Sequence, residues 1–514
     1  MTWLPLLLLP SAACAPCHRE IYDSFRRTPM ATSSGVVGSG QFQEDFSSAG
    51  FTHAESGFRY AVSKNGVGCS LEFEKTVDPS LHGKKKLAYY VGSGAAARSY
   101  LLAADGFLFE APVAYYTADA KWGLAPGYSQ YSYPYLTRPV QPGCLNCHAS
   151  FLQTVPQTQN RFASPPFFEG GVACERCHSA GEAHIAKGGA AAIVNPSKLS
   201  PDRRDAICDQ CHLTGEVRVL RPGRDWRSFR PGDRLSDSMT VFVKKGATPG
   251  IKVTSHSEKL AQSRCKRSSG DRLWCGTCHD PHSGGYRSKC MECHSADSCA
   301  ESKSVRQRNG DNCTACHMPK TKTVDAQHVV YTDHSIPRRP GAPARRLAQD
   351  PELIPINGGA ASAREMGLAY AIAAQREQNQ VYRARAEQAL PEADDAEALL
   401  YLAEIYRTTD RPALAVPLYE RANRLDPAQL TGPVGLGAIR MERGELQEAI
   451  RLWEDALSKN AGLELVRMNL AIAKWRSGDL QSAESHFNKA IELNPAFAPI
   501  RDLLRRLRNK QPAP

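Results

Sequence analysis

The chain has 514 residues, of which 23% are charged, with 64 Lys+Arg against 53 Asp+Glu and 17 cysteines. That length exceeds one ordinary core, and the charged fraction describes a soluble protein of two or more domains. The net charge of +11 invites an acidic partner, yet residues 360–514 hold 21 basic and 21 acidic residues, so the whole excess lies in residues 1–359.

From the N-terminus, Thr2–Ala13 (TWLPLLLLPSAA) has the apolar run and small residues of an export signal, lacks a Lys/Arg-bearing front, and runs straight into Cys14. Either residues 1–13 are a minimal signal or the start lies downstream of the true one. Ser11-Ala12-Ala13-Cys14 also has the look of a lipoprotein cleavage site, a use of Cys14 that competes with the one below. No later apolar run approaches the ~20 residues of a membrane span.

Cys14 opens the first of seven Cys-x-x-Cys-His units. In chain order they are Cys14, Cys17 and His18; Cys144, Cys147 and His148; Cys174, Cys177 and His178; Cys208, Cys211 and His212; Cys275, Cys278 and His279; Cys290, Cys293 and His294; and Cys313, Cys316 and His317. One Cys-x-x-Cys fits a zinc knuckle or a redox pair. Seven pairs do not divide into four-ligand zinc sites, and accident does not place one of only 15 histidines after every pair. The spacing suits covalent c-type haem: two thiols bond the vinyl-derived carbons of the porphyrin, and the adjacent imidazole takes the iron. The expectation is seven c-type haems with those seven histidines as proximal ligands. Cysteines that must be exported and kept reduced until haem arrives imply a periplasmic or other extracytoplasmic location. Two propionates per haem turn the basic excess into internal counter-charge, and the sequence gives no case for a nucleic-acid partner.

Between His18 and Cys144 lies a long gap. FRYAV (58–62), SLEFE (70–74), KLAYYVGSG (86–94) and FLFEAPVAYY (107–116) are β-branched and aromatic runs broken by glycine, which predict a small antiparallel sheet, a β-rich insert of about residues 50–135. The other six units crowd into residues 144–317, which are poor in helical periodicity and rich in Gly, Pro and Ser, as expected of irregular chain wrapped around porphyrins. The haem domain thus spans 14–335, and a Pro/Arg-rich linker covers 336–359.

From residue 360 the composition turns to Ala, Leu, Glu and Arg at helical period, with an internal repeat of 34 residues. Asp410, Gly444 and Gly478 keep that spacing, as do Ala415, Ala449 and Ala483; Ala422, Ala456 and Ala490; and Tyr419, Trp453 and Phe487. With a degenerate copy over Met366–Leu390, residues 360–514 read as a tetratricopeptide α-solenoid suited to a protein or peptide partner. The expected fold class is therefore mainly α with irregular haem-wrapped segments: a multihaem cytochrome domain with a small β-rich insert, then the solenoid.

Each iron has a second axial position, and His53, His82, His184, His256, His282, His328, His334 and His486 lie outside the motifs. His486 sits on a repeat helix and reads as packing, which leaves seven histidines for seven irons. Met30 is a further distal candidate, since a thioether is an accepted ligand that raises the potential; if it serves, His82 in SLHGKKK is spare. His282 follows His279 by three residues, too few to carry the chain round a porphyrin, so it is expected to ligate a neighbouring haem, as is His184. Cys265 and Cys299 are a candidate disulfide, with Cys69 left over.

The stretches CHREIYDSFRRTPMA (17–31), VGSGAAARSYL (91–101), GVACERCHSAGEAH (171–184), ICDQCHLTGEVRV (207–219), WCGTCHDPH (274–282) and CHMPKTKTVDAQHVVYTDHSIPRR (316–339) resemble multihaem c-type cytochromes with C-terminal tetratricopeptide repeats. That group is distantly similar to the hydroxylamine oxidoreductase and cytochrome c nitrite reductase lineage. The resemblance covers nearly the whole chain and implies distal-ligand roles for His184, His256, His282, His328 and His334, and electron transfer with a redox partner protein in the periplasm or at the cell surface. Nitrite reductases of that lineage carry a Cys-x-x-Cys-Lys unit, which this sequence lacks. An electron carrier with every iron closed is the leading expectation. An oxidoreductase acting on a small nitrogen or sulfur compound at one five-coordinate iron, lined by Tyr115, Tyr116 and Trp122, is the alternative; a scaffold built on the repeats is the third.

Overall fold

The computed structural model describes residues 10–39, 44–47, 49–246, 250–283, 287–295, 298–308, 310–326, 328–338, 350–392 and 394–514. Most of the expected signal segment, and residues 339–349 of the linker, lie outside them. The chain divides into two compact units. One comprises residues 1–34, 146–151 and 168–360; the other comprises 35–145, 152–167 and 361–514.

In the second unit, the insert and the C-terminal repeats fold together. Strands Gly50–His53, Phe58–Asn65, Gly68–Lys75 and Asp78–Leu87 form an antiparallel meander. Its register sets Tyr60 opposite Phe73 and Val62 opposite Leu71, so one face is apolar along every strand. Gly66, at φ 61°, opens the two-residue loop that lets Asn65 pair with Gly68. A second sheet holds Ala97–Ala104, Phe107–Tyr116 and Lys121–Leu124, and both sheets bury their inner faces in one core with Phe58, Leu71, Phe109, Val113 and Trp122.

Residues 361–514 are helical pairs from Ala363–Glu377 to Ala498–Arg508. The 34-residue register accounts for their packing: Ala415, Ala449 and Ala483 are fully buried at helix crossings, beside Tyr419, Trp453 and Phe487. Asp410, Gly444 and Gly478 all stand in the left-handed region that ends the first helix of each pair, a conformation glycine and aspartate accept best. Ser362 and Glu365 close a capping box at the start of the array. Ala496, in the loop before the last helix, joins the core of the insert, where Phe497 packs on Tyr133 at 4.7 Å and the Lys85 ammonium donates to the Glu492 carbonyl at 2.9 Å.

The first unit is built differently. Short helices alternate with loops, a three-stranded sheet (Val217–Leu220, Met239–Lys244, Leu353–Pro355) and a hairpin (Lys320–Lys322, Val330–Thr332). Among the twelve largest fully buried side chains, only Phe242 belongs to this unit. Side chains alone give it a thin core. The expectation of a mainly α chain needs correction: among the described residues, five small sheets with sixteen strands all precede the repeats, making residues 1–359 mixed α and β. No helix among the described residues is long and apolar enough to cross a membrane.

Glu464 is buried at the start of a repeat helix, and burial pushes its pKa up to about 7 against weaker help from Asn494 and Thr137. The folded state therefore keeps a proton that an unfolded glutamate releases near its model value of 4.5. Its contribution is complete below that value and is lost as pH rises through about 7. Denaturant melts followed by circular dichroism should show stability falling by roughly 2 kcal/mol between pH 5 and 8 from this group, and Glu464→Gln should remove that slope.

Candidate haem-iron centres

The attachment motifs share a local geometry. The N–H of His18, His178, His279 and His294 donates to the carbonyl of the first cysteine of its own motif at 2.9–3.0 Å. This one-turn bond puts both thiols and the imidazole on the same side of the chain. Among the described residues no two cysteines are joined in a disulfide, so the expected Cys265–Cys299 bridge is absent. Cys265 instead lies close enough to raise the pKa of Cys278 and Cys290, behind the larger effect of burial on each.

Thiols of different motifs meet. Cys14 hydrogen-bonds with Cys174, Cys147 with Cys211, Cys208 with Cys275 and Cys290 with Cys313. Shared protons hold Cys147 and Cys174 down near pKa values of about 6 and drive Cys14, Cys208 and Cys211 up. The remaining motif thiols sit nearer the solvent or apart from these pairs. Cys17, Cys144 and Cys293 are exposed, whereas Cys316 is half-buried and Cys177 is closed off enough for burial to push its thiol up to about 11. Cys293 and Cys316, the second thiols of the sixth and seventh motifs, lie outside the four thiol pairs above. Cys293 reaches Cys278 as the smallest of five influences on its pKa, and the assignment of haem to Cys293 and Cys316 stands on the motif spacing alone.

The histidine rings pair across motifs. His18 and His184 have centroids 6.3 Å apart with planes 15° from parallel; His178 and His282 are at 6.0 Å and 14°; His279 and His334 are at 6.1 Å and 23°. Two metal–imidazole bonds of about 2 Å each, with each ring centre about 1 Å behind its nitrogen, set axial rings about 6 Å apart. The three gaps therefore fit an iron.

The tautomers fit as well. Nδ1 of His178, His184 and His334 lies 2.8, 2.7 and 2.9 Å from the carbonyls of Val194, Ala191 and Thr332, and His317 Nδ1 lies 2.9 Å from that of Pro337. A carbonyl only accepts, so Nδ1 carries the hydrogen and the Nε2 lone pair is left for a metal. His282 turns Nδ1 to the Asp280 carboxylate at 3.3 Å, while its N–H caps the same oxygen at 2.9 Å. Burial lowers the pKa of His148, His178, His279 and His334, that of His212 to about 4 and that of His256 to about 3, so these rings are neutral, the form that binds metal.

Other distal candidates are placed differently. His256 meets His212 with Nδ1 atoms 3.2 Å apart and planes at 84°, nearer than the roughly 4 Å that two metal–nitrogen bonds require. It also packs on His334 at 4.8 Å and Tyr331 at 5.4 Å. His328 is exposed with φ 61°. His53 uses both ring nitrogens, with Ser56 Oγ at 2.9 Å and Glu55 Oε2 at 2.8 Å. His82 is exposed, its Nδ1 donating to the Pro79 carbonyl at 2.8 Å. Both belong to the unit that holds none of the motif histidines. Met30 is half-buried, and its carbonyl accepts from the Ser33 hydroxyl, which also donates to the His148 carbonyl at 2.9 Å.

Tyr115, Tyr116 and Trp122 pack inside the insert, Tyr116 donating to the Leu124 carbonyl and Trp122 to that of Asp45. Asp280 and the carbonyls that orient the rings are not evident from the sequence. Asp280 stands in the CHDPH string, two residues before the ring it orients; the carbonyls leave no residue-type signal.

A family model described as cytochrome c554 and c-prime matches residues 130–179, across two attachment motifs, and a tetratricopeptide repeat model matches residues 396–429 and 466–497. No curated protein matches the chain. Similar solved structures include MamA of AMB-1, at 20% identity over 29% of this chain and 80% of that one with a TM-score of 0.26. The first tetratricopeptide repeat of Spaghetti (RPAP3) bound to an HSP90 peptide is at 16% over 22% and 91%, with a TM-score of 0.22. PilF of Pseudomonas aeruginosa is at 22% over 29% and 67%, with a TM-score of 0.25.

The two family matches support a c-type cytochrome that carries tetratricopeptide repeats: an electron-transfer class joined to a protein-interaction class. They reach neither a haem count nor the hydroxylamine oxidoreductase lineage. Because His53 and His82 are engaged in the insert, His53→Ala and His82→Ala should leave the low-spin absorption and EPR spectra of the holoprotein unchanged.

Proposed function

We propose that the chain is an extracytoplasmic, periplasmic or surface-located multihaem cytochrome that carries electrons through seven covalently bound haems, with its repeats docking a protein partner. The observation that carries this reading is the set of three near-parallel imidazole pairs at 6.0–6.3 Å, each joining a motif histidine to one outside the motifs. Such pairs close both axial positions of an iron, so it exchanges electrons without opening to a substrate. The thin side-chain core of the first unit agrees with seven apolar porphyrins completing it. The thiol contacts between motifs would bring attachment sites close together. The repeat register, with its buried Ala and aromatic positions, supports a stable scaffold for a peptide or protein.

One observation favours an oxidoreductase as a second reading. His256 approaches His212 on its Nδ1 edge rather than across an iron-sized gap, which leaves the distal side of that haem without this histidine.

Pyridine haemochrome on the purified holoprotein should give seven haems per chain. Low-temperature EPR should then show at least the three paired sites as low-spin. A haem count well below seven would overturn the carrier reading. A high-spin signal near one equivalent that responds to nitrite, sulfite or hydroxylamine would move the assignment to the enzyme.

A further inference from the structure

The three ring pairs obey a rule that goes beyond ligation itself. Numbering the attachment motifs one to seven along the chain, His184 follows the third motif and faces His18 of the first. His282 follows the fifth and faces His178 of the third. His334 follows the seventh and faces His279 of the fifth. Each partner comes from two motifs further on. The backbone explains how: each partner lies just beyond its own motif, past a turn or hairpin that swings it away. His184 rides the short helix Glu182–Ala186, His282 the turn capped by Asp280, and His334 the end of the hairpin formed by Lys320–Lys322 and Val330–Thr332.

An independent set of contacts agrees. The thiols of the first and third motifs touch, Cys14 on Cys174, as the His18–His184 pair requires. Ser11, just before the first motif, accepts from the Cys174 N–H at 3.2 Å. Ser24, just after that motif, donates to the His282 carbonyl at 2.7 Å, tying the first motif to the segment that faces the third. The even-numbered second and fourth motifs touch each other through Cys147 and Cys211, and the fourth touches the fifth through Cys208 and Cys275.

We propose that the odd-numbered sites form one stapled series: His184 is the distal ligand of the haem on Cys14 and Cys17, His282 of the haem on Cys174 and Cys177, and His334 of the haem on Cys275 and Cys278. The inference rests on the haem reading above and adds what sequence order alone does not give, which haem each histidine closes. Neighbours in space along this series are first, third, fifth and seventh, and the even-numbered sites are attached alongside. His256, set against His212, does not repeat the pattern for the even sites.

The test combines ligand removal with site removal in the full-length holoprotein. His184→Ala should add one high-spin haem equivalent to the EPR spectrum. In a chain that also carries Cys14→Ala and Cys17→Ala, the haem count should fall by one and that added signal should vanish. With Cys174→Ala and Cys177→Ala instead, the added signal should persist. The reverse pattern would overturn the series, as would no added signal from His184→Ala in the intact chain. Should the double-cysteine variants fail to fold, Cys14→Ala alone leaves the first haem on one thioether and marks it by a shifted absorption band. His184→Ala must then move that band to a high-spin position, and an unmoved band overturns the pairing. An intact chain that takes up no covalent haem would sink the underlying haem reading, a result distinct from seven haems with wrong pairing.

Discussion

The arrangement of the first unit turns on one relation, that imidazoles from distant parts of the chain stand in near-parallel pairs with centroids 6.0–6.3 Å apart. His18 and His184 are separated by 166 positions and His178 and His282 by 104, so each pair closes a long loop. In an ordinary domain such closure is offset by burial of apolar side chains. Among the described residues of this unit Phe242 is the only very large, fully buried side chain, and the closures coincide with the attachment motifs. Local turns are cheap to form, and each motif needs only one helical turn to aim its thiols and its ring.

The second unit meets the opposite condition. Its two sheets bury aromatic and branched residues on facing sides, and its repeats add fully buried Tyr419, Trp453 and Phe487, so it has a core of its own. The loop at Ala496 and Phe497 joins that core, which makes the insert and the repeats one packed body although the sequence places more than 200 residues between them. Repeats anchored at one edge present their remaining surface in a fixed direction relative to the insert. A docking surface of that kind loses little conformational freedom when a partner binds.

Sequence legibility followed the range of the interactions. The seven motifs and the 34-residue register are local or periodic, so they stand out without any knowledge of the fold; the strands Phe58–Asn65 and Gly68–Lys75 show by alternation, and Phe107–Tyr116 by its nearly continuous apolar and aromatic run. Asp78–Leu87 did not, because it is an outer strand whose exposed face carries Lys84 and Lys86 and whose start is Asp-Pro. The small sheets of the first unit are harder to see for a different reason: apart from the six-residue Met239–Lys244, their strands run to three or four residues and carry too little period. Motif spacing makes Cys293 and Cys316 look the same as Cys147 or Cys211, although their surroundings differ, because a five-residue pattern says nothing of what packs against it. His53 looked like any other spare histidine, yet Ser56 and Glu55, three and two residues away, take both of its nitrogens. His256 illustrates the harder limit: its distance from His212 depends on how two helices, Pro201–His212 and His256–Gln262, cross, and no residue count contains that information.

The groups behind the rings also differ in a way that bears on the series. His178, His184 and His334 lean on neutral carbonyls, whereas His282 leans on the Asp280 carboxylate. A carboxylate behind an imidazole makes it a more basic ligand and favours the oxidised metal. The exposure of Asp280 weakens that effect through solvent screening without reversing its sign. With iron bound, the carboxylate behind His282 would thus lower the potential of the His178–His282 site, which in the proposed series stands between His18–His184 and His279–His334. A low-potential site flanked by two higher ones tends to keep electrons on the flanks, so the first and fifth sites of the proposed series would fill before the third.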